Sequence, residues 1–430
     1  MELPIISRLN FHDYLTLITG LFLLMFESLL RVVTFCLPGF ALNFFRAESQ
    51  KAFSMLYKDE RSGPAKILQN LNTFQEMAEF WGYRTEEHIV KTHDNYILGI
   101  HRIPTRKVGL DDDDSYNEYM QRVFKNCGIN ILTIRETSHA KCKPVVLLYH
   151  GFMMCSEVWM CNLEEECRLA CLLADAGYDV WLGNARGNKY SMKHIKYKPY
   201  ERRFWEYSMD EFALFDLPDT IDYILEITEA PSLTYIGFSQ GTAQSFAALS
   251  INPKLNKKVN LFVALAPATR LHNTVVDAFI KASPNIIYLF FGRRAFLSVT
   301  LFWQRVLSPP IFTKLLDICM NFLFGWNGNN ISEEQKAVSY YHLYTFTSHW
   351  FQIIRANIFQ MYDEIPPLMY STAFTGHRCQ LFPTNQISTP IAVFYGGSDS
   401  LVDINVLLKQ LPRPEGGEGA NEMENFFCLV

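Results

Sequence analysis

With 430 residues, the chain is long enough for one large α/β domain with insertions or for two domains. Its formal charge of −5 removes the electrostatic case for nucleic-acid binding. At 49% hydrophobic and 19% charged residues it is more apolar than an ordinary soluble enzyme, and an aromatic share of 14%, with 34 Phe, fits a lipid-facing or heavily packed protein.

Residues 14–26 carry no charge, and a second uncharged run spans residues 32–45 around Pro38-Gly39. Each is short for a spanning helix, which needs about 20 apolar residues. Together they predict one interrupted span, or a hairpin entering and leaving on the same side, so residues 1–46 are read as a membrane or lipid-surface anchor. Asp13 before the first run fits a cleaved signal peptide poorly. Residues 47–103 form a lead-in, with an amphipathic stretch near Thr73 to Phe80. A β-hairpin follows, Glu87 to Thr92 and Tyr96 to Arg102 flanking His93-Asp94-Asn95. Residues 104–143, with the acid run Asp111 to Asp114, read as a flexible insertion whose spacing supports no calcium loop.

Pro144 to Tyr149 predicts a buried strand running straight into His150-Gly151-Phe152-Met153. A helix over 163–176, closed by Gly177, precedes a strand at Tyr178 to Leu182 and the Gly/Asn-rich loop Gly183 to Asn188, which completes no phosphate-binding signature. A long amphipathic helix over 209–228 leads to the apolar run Leu233 to Phe238. Cys155, Cys161, Cys167 and Cys171 lie close together among ten cysteines, but in no zinc spacing and no Cys-x-x-Cys, so they read as free thiols.

Gly237-Phe238-Ser239-Gln240-Gly241 then gives G-x-S-x-G between that strand and a helical stretch, Thr242 to Ser250. This is the setting a nucleophile elbow requires: Ser239 on a strained turn, glycines on both sides to make room, and a helix N-terminus to favour an oxyanion. With Ser239 as nucleophile, the backbone amides of Phe152 and Gln240 are the expected oxyanion donors. The side chain of His150 reads as structural. Phe262 to Pro267 is a further strand. Residues 268–386 break the strand–helix alternation with apolar helical runs such as Leu315 to Phe324, punctuated by Pro309-Pro310 and Pro366-Pro367, and read as a cap over a greasy substrate site. Their sequon Asn330-Ile331-Ser332 is weak evidence for secretory passage. Thr389 to Tyr395 is the next strand. Asp399, just beyond it, is the expected triad acid, with Asp403 as competitor. The core thus runs over 144–267 and 387–412, and 413–430 is an atypical tail.

The segments His150-Gly-Phe-Met153, Asp179-Val-Trp-Leu-Gly-Asn-Ala-Arg-Gly-Asn-Lys-Tyr-Ser191, Gly237-Phe-Ser-Gln-Gly241, His349-Trp-Phe-Gln352 and Tyr395-Gly-Gly-Ser-Asp-Ser-Leu-Val-Asp403 together resemble the acid lipase family of α/β-hydrolases. The nearest pattern is that of the fungal membrane-anchored steryl ester hydrolases of lipid droplets. The resemblance implies an α/β-hydrolase fold, a mostly parallel sheet with helices on both faces and a helical cap. It implies no metal and no organic cofactor, and Ser239 and Asp399 as catalytic residues with Phe152 and Gln240 supplying the oxyanion amides. It further implies hydrolysis of neutral lipid esters, steryl esters or acylglycerols, at a membrane, lipid-droplet or endoplasmic-reticulum surface. The family also places a catalytic histidine after the acid, whereas here no histidine follows His377, and the family's last strand and helix have no counterpart. The expectation is therefore a lipase by lineage whose 430-residue form is a truncated or mispredicted product, its activity in question because the triad histidine is missing. The alternative is a catalytically inactive homologue that binds lipid surfaces.

Overall fold

The computed structural model describes residues 38–56, 63–105, 143–269, 309–324, 331–341, 359–361, 380–397 and 404–412, with isolated positions at 307 and 328. Eight strands form one sheet: β1 (Glu86–Lys91), β2 (Tyr96–Ile103), β3 (Val145–Tyr149), β4 (Asp179–Gly183), β5 (Lys193–His194), β6 (Leu233–Phe238), β7 (Val259–Leu265) and β8 (Ile391–Phe394). The spatial order is β1-β2-β4-β3-β6-β7-β8, with the two-residue β5 beside β2. The expected hairpin is β1 and β2, closed by Asn95 at φ 75. Strand β2 meets β4 antiparallel, and from β4 through β8 every pairing is parallel.

The parallel strands in the middle of the sheet are buried on both faces. All five residues of β3 and of β4 are buried, as a central parallel strand requires. Alternate residues feed two cores. Val145, Leu147 and Tyr149 face one side with Leu217, Ile221 and Phe246, while Val146 and Leu148 face the other with Met77, Ala170 and Ala174. The second side is covered by α2 (Gly63–Leu68), α3 (Phe74–Trp81) and α4 (Leu169–Asp175), the first by α5 (Leu217–Thr228) and α6 (Gln240–Ile251).

Local chemistry sets these helices. Thr73 caps α3 in a capping box with Glu76, and Gly82 at φ 88 ends it. The helix expected over 163–176 is shorter. Residues Glu165–Cys167 form a 3₁₀ turn, α4 begins only at Leu169, and Gly177 at φ 95 closes it as expected. The acidic residues before Leu169 belong to a surface turn. The helix expected over 209–228 is interrupted: Phe212–Asp216 is a π turn before α5, whose second residue is Pro218. A proline cannot donate the hydrogen bond that would continue a regular helix through that point. Between β7 and β8 the described residues contribute α7 (Pro309–Phe324) and α8 (Glu333–Tyr341). Gln335 ties α8 to the core, accepting from the Leu163 amide at 2.8 Å and donating to the Cys161 carbonyl at 3.1 Å.

An amino-terminal helix, α1 (Gly39–Leu56), starts inside the second uncharged run and continues past it. The uncharged run at 14–26, the acidic insertion over 106–142 and the tail beyond 412 lie outside the described residues. Among the described residues no helix is long and apolar enough to cross a membrane. Cys155, Cys161, Cys167 and Cys171 are free thiols.

Candidate active site

The sheet delivers β3, β6, β7 and β8 in parallel, so their carboxyl ends share one edge, where an open α/β sheet places its ligand crevice. Ser239 sits there, directly between β6 and α6. Its backbone is at φ 50, ψ −113, left-handed for a residue with a β-carbon. A conformation of that kind costs on the order of 1–3 kcal/mol and persists only where surroundings enforce it. The enforcement is visible. The Ser239 amide donates to the Leu265 carbonyl at 2.9 Å, and its carbonyl accepts from the Thr242 amide at 2.9 Å and the Thr242 hydroxyl at 2.6 Å. The Thr242 hydroxyl in turn accepts from the Ala268 amide at 3.0 Å, strapping the turn to the exit of β7.

The two motif glycines make the turn possible by size. A β-carbon at Gly237 would stand 2.8 Å from the Gly241 backbone. At Gly241 it would stand 2.6 Å from the Tyr149 carbonyl oxygen and 2.9 Å from that of His150. Neither contact is open to a real side chain. The Tyr235 hydroxyl completes the packing by donating to the Gly241 carbonyl at 2.7 Å.

The His150-Gly151 turn closes the other side. A β-carbon on Gly151 would lie 3.2 Å from Ser239 Cβ, so this turn passes directly beside the serine. Phe152 follows at once and is partly buried, and Met153 turns the chain at φ 60. Gln240 is the first residue of α6, where first-turn amides point out of the helix. Both expected oxyanion residues therefore sit on backbone immediately flanking Ser239.

His150 is buried and held by neighbours other than Ser239. Its Nδ1 lies 2.8 Å from the Gly151 carbonyl, and its Nε2 accepts from the Ala185 amide at 3.1 Å, with Asn188 Nδ2 also at 3.1 Å. A carbonyl can only accept and an amide N–H can only donate, so the proton is on Nδ1 and the ring is neutral. Burial pushes its pKa down to about 4. The expected structural role of this side chain is what the geometry displays. The other described histidines are also engaged elsewhere: His88 with Tyr223 and Glu86, His93 with Asp219, His101 with Ser156, and His194 with the Asp94 carbonyl.

Strand β8 ends at Phe394, paired with Leu265, so residues 395–397 emerge on the same edge as Ser239. Asp399 and Asp403 lie just beyond, outside the described residues. So do His342, His349 and His377. Among the described residues no group of three or more His, Cys, Asp or Glu is placed to hold a metal ion. Reading the sequence missed two contributors, Thr242 and the segment 184–188 beneath His150. Asn184, Arg186 and Asn188 are polar yet almost wholly buried, and a polar cluster straight after an all-buried strand was the available signal.

A family model of the alpha/beta hydrolase fold matches residues 144–412, and one of the partial alpha/beta-hydrolase lipase region matches residues 74–163. A probable lipase of Schizosaccharomyces pombe is 42% identical over 426 residues, covering 96% of this chain and 86% of the relative. Human lipase member K is 34% identical over 371 residues, covering 84% and 86%. The chain belongs to the acid lipase family of α/β-hydrolases. Human gastric triacylglycerol lipase is also similar, at 34% identity over 364 residues, 81% of this chain and 84% of that one. Within an acid lipase, Ser239 occupies the strand-to-helix turn where α/β-hydrolases carry their nucleophile.

Proposed function

We propose that this acid lipase homologue is a carboxylic ester hydrolase that cleaves long-chain neutral lipid esters, steryl esters or acylglycerols, through an acyl-enzyme on Ser239. The observation that carries the reading is the backbone of Ser239, at φ 50 between β6 and α6 with the Gly151 turn against it. Strain of that sort at the carboxyl edge of the sheet presents the hydroxyl clear of the backbone. In the proposed reaction Ser239 Oγ attacks the acyl carbonyl while a histidine oriented by Asp399 takes its proton. The amides of Phe152 and Gln240 stabilise the tetrahedral oxyanion, and the protonated histidine returns its proton to the departing alcohol. Water then attacks the acyl-enzyme and frees the fatty acid. None of the five described histidines is that base, since each is bonded elsewhere. The chemistry calls for no metal or organic cofactor.

A membrane, endoplasmic-reticulum or lipid-droplet surface is the proposed place of work. Helix α1 continues the amino-terminal apolar region and leaves Phe40, Phe44 and Met55 exposed, and α7 leaves Ile318 exposed. Large apolar side chains of this kind favour a lipid boundary over water. The second reading is a homologue that binds lipid surfaces without turnover. Hydrolysis of cholesteryl oleate and of triolein in mixed micelles, by wild type and by Ser239→Ala, separates the two. Turnover lost in the variant supports the esterase. Lipid binding by both without turnover supports the second reading.

A further inference from the structure

The proposed oxyanion turn rests on buried charge contributed from elsewhere in the chain. The peptide joining Gly151 to Phe152 is trans, as are all described peptides, so its carbonyl and its N–H point in opposite directions. His150 Nδ1 grips that carbonyl at 2.8 Å. The grip fixes the peptide plane and thereby the direction of the Phe152 N–H, pointing it away from the imidazole. The ring can do this only as the Nδ1–H tautomer, and the Ala185 amide, donating to Nε2, selects that tautomer.

Ala185 is itself held by its neighbour. The Arg186 amide donates to Asp216 Oδ2 at 3.1 Å, and its guanidinium meets Asp216 Oδ1 through Nε at 2.8 Å and Nη2 at 2.6 Å. Two further bonds reach Asp94, at 2.5 and 3.0 Å. The guanidinium lies over the Tyr96 ring, 4.0 Å from its centre, and the Arg186 carbonyl accepts from the Tyr207 hydroxyl at 3.1 Å. Gly187, at φ 81, has no room for a β-carbon beside that hydroxyl. Asp94 comes from the β1–β2 hairpin and Asp216 from the end of the π turn, a feature found frequently at functional sites. The side chains of Arg186 and Asp216 are fully buried, and that of Asp94 is 24% exposed.

We propose that Arg186, clamped by Asp94 and Asp216, is a positioning residue for the oxyanion amide of Phe152, acting through Ala185 and the imidazole of His150. The proposal rests on the esterase reading for its catalytic consequence but not for its geometry. A buried arginine between two carboxylates is usually a stability element alone, and such an element would lower melting temperature without singling out one kinetic constant. A positioning role lowers kcat and leaves KM in place, because the misdirected amide is missed only when charge develops on the carbonyl oxygen.

The test compares wild type, His150→Phe and Asp94→Asn, the last chosen because Asp94 is partly exposed and the substitution keeps its shape. Hydrogen–deuterium exchange of the segment 150–154 reads the turn whether or not the protein turns over. Kinetics on p-nitrophenyl butyrate read the consequence. We expect faster exchange at 150–154 in both variants. We expect kcat to fall about 100-fold in His150→Phe, as for loss of one oxyanion donor, and about 5–10-fold in Asp94→Asn, with KM within twofold. His150→Asn, whose amide nitrogen takes the place of Nδ1 and can donate to the Gly151 carbonyl, should recover part of the loss. Unchanged exchange at 150–154 in His150→Phe would overturn the proposal even if Asp94→Asn unfolds. So would a loss confined to melting temperature. Absence of Ser239-dependent turnover in wild type would instead sink the esterase reading, and the exchange arm would still decide whether the clamp exists.

Discussion

Two turns meet at Ser239, and they are held by opposite means. The elbow from Gly237 to Gly241 is fixed by exclusion: backbone lies 2.6–2.9 Å from where each flanking glycine would carry a β-carbon. The turn from His150 to Met153 is fixed by attachment. It hangs from an imidazole that is bonded to Ala185 and through it to a charge cluster drawn from residues 94, 186 and 216. A sterically fixed turn should be indifferent to protons and intolerant of added volume. An attached turn should tolerate some volume and respond to loss of a proton acceptor or to acid. The contrast yields predictions that separate the two.

The largest expected effect removes what both turns serve. Ser239→Ala should lower kcat on a long-chain ester by about 10⁴-fold or more, because the residual rate comes from binding and oxyanion donors alone. Its melting temperature should stay near wild type, since the β-carbon and the strained φ are retained. Residual turnover above about 1% would remove Ser239 from the mechanism.

Next comes the steric turn. Gly241→Ala puts a β-carbon 2.6 Å from the Tyr149 carbonyl, so β3 and α6 must separate. Overpacking of this kind against backbone should cost about 3 kcal/mol, at the upper end for added methyl groups. Urea unfolding should show the loss equally at pH 5 and pH 7. A loss that depends on pH would contradict the division between the two turns.

Acid addresses the attached turn. Burial lowers the pKa of His150 to about 4, and that of His101, bonded to Ser156, also to about 4. Both lie below the unfolded value near 6.5, so the unfolded chain binds more protons between those limits. Each histidine's contribution is whole above pH 6.5 and is lost as pH falls toward 4, by about 3 kcal/mol apiece when fully titrated. Denaturant unfolding between pH 7 and pH 4 should show a steepening loss. In His101→Asn the slope should fall by about half, and an unchanged slope would place the titrating groups elsewhere.

The same contrast governs how much could be read from the residues. The elbow carries a local signature, because Gly237 is crowded by Gly241 four residues on, so G-x-S-x-G announces it although Gly241 is itself crowded by the distant Tyr149 and His150, and the apolar run Leu233–Phe238 marks β6. Strands β3 and β4 are likewise legible as apolar runs because they are buried on both faces, and β7 and β8, buried only at alternate residues, because their runs are bounded by turn residues. Attachment is not local. His150-Gly151 was visible as a turn, but its partners at 94, 185, 188 and 216 come from three other places in the chain, and no spacing relates them. The π turn at Phe212–Asp216 was hidden for a related reason: its sequence has helical period, and only Pro218 hinted that the helix was interrupted. The late start of α4 reflects Glu164, Glu165 and Glu166, which an amphipathic pattern accommodates but which here form a surface turn.

The smallest effect tests whether the elbow stores strain at all. Ser239 has φ 50, where a β-carbon is strained and glycine is not. Relief of that strain should be worth about 1–3 kcal/mol, offset by the roughly 0.5–1 kcal/mol that glycine's freer unfolded chain costs. Ser239→Gly should therefore unfold about 1 kcal/mol harder than Ser239→Ala, both being equally devoid of hydroxyl. Because the two variants differ by one methyl group, the hydroxyl's own bonds cancel from the comparison. A serine held in a turn that glycine prefers, at a cost in stability, is being retained for its side chain. Equal stability of the two variants would mean that the turn is relaxed and that its shape alone says nothing of chemistry.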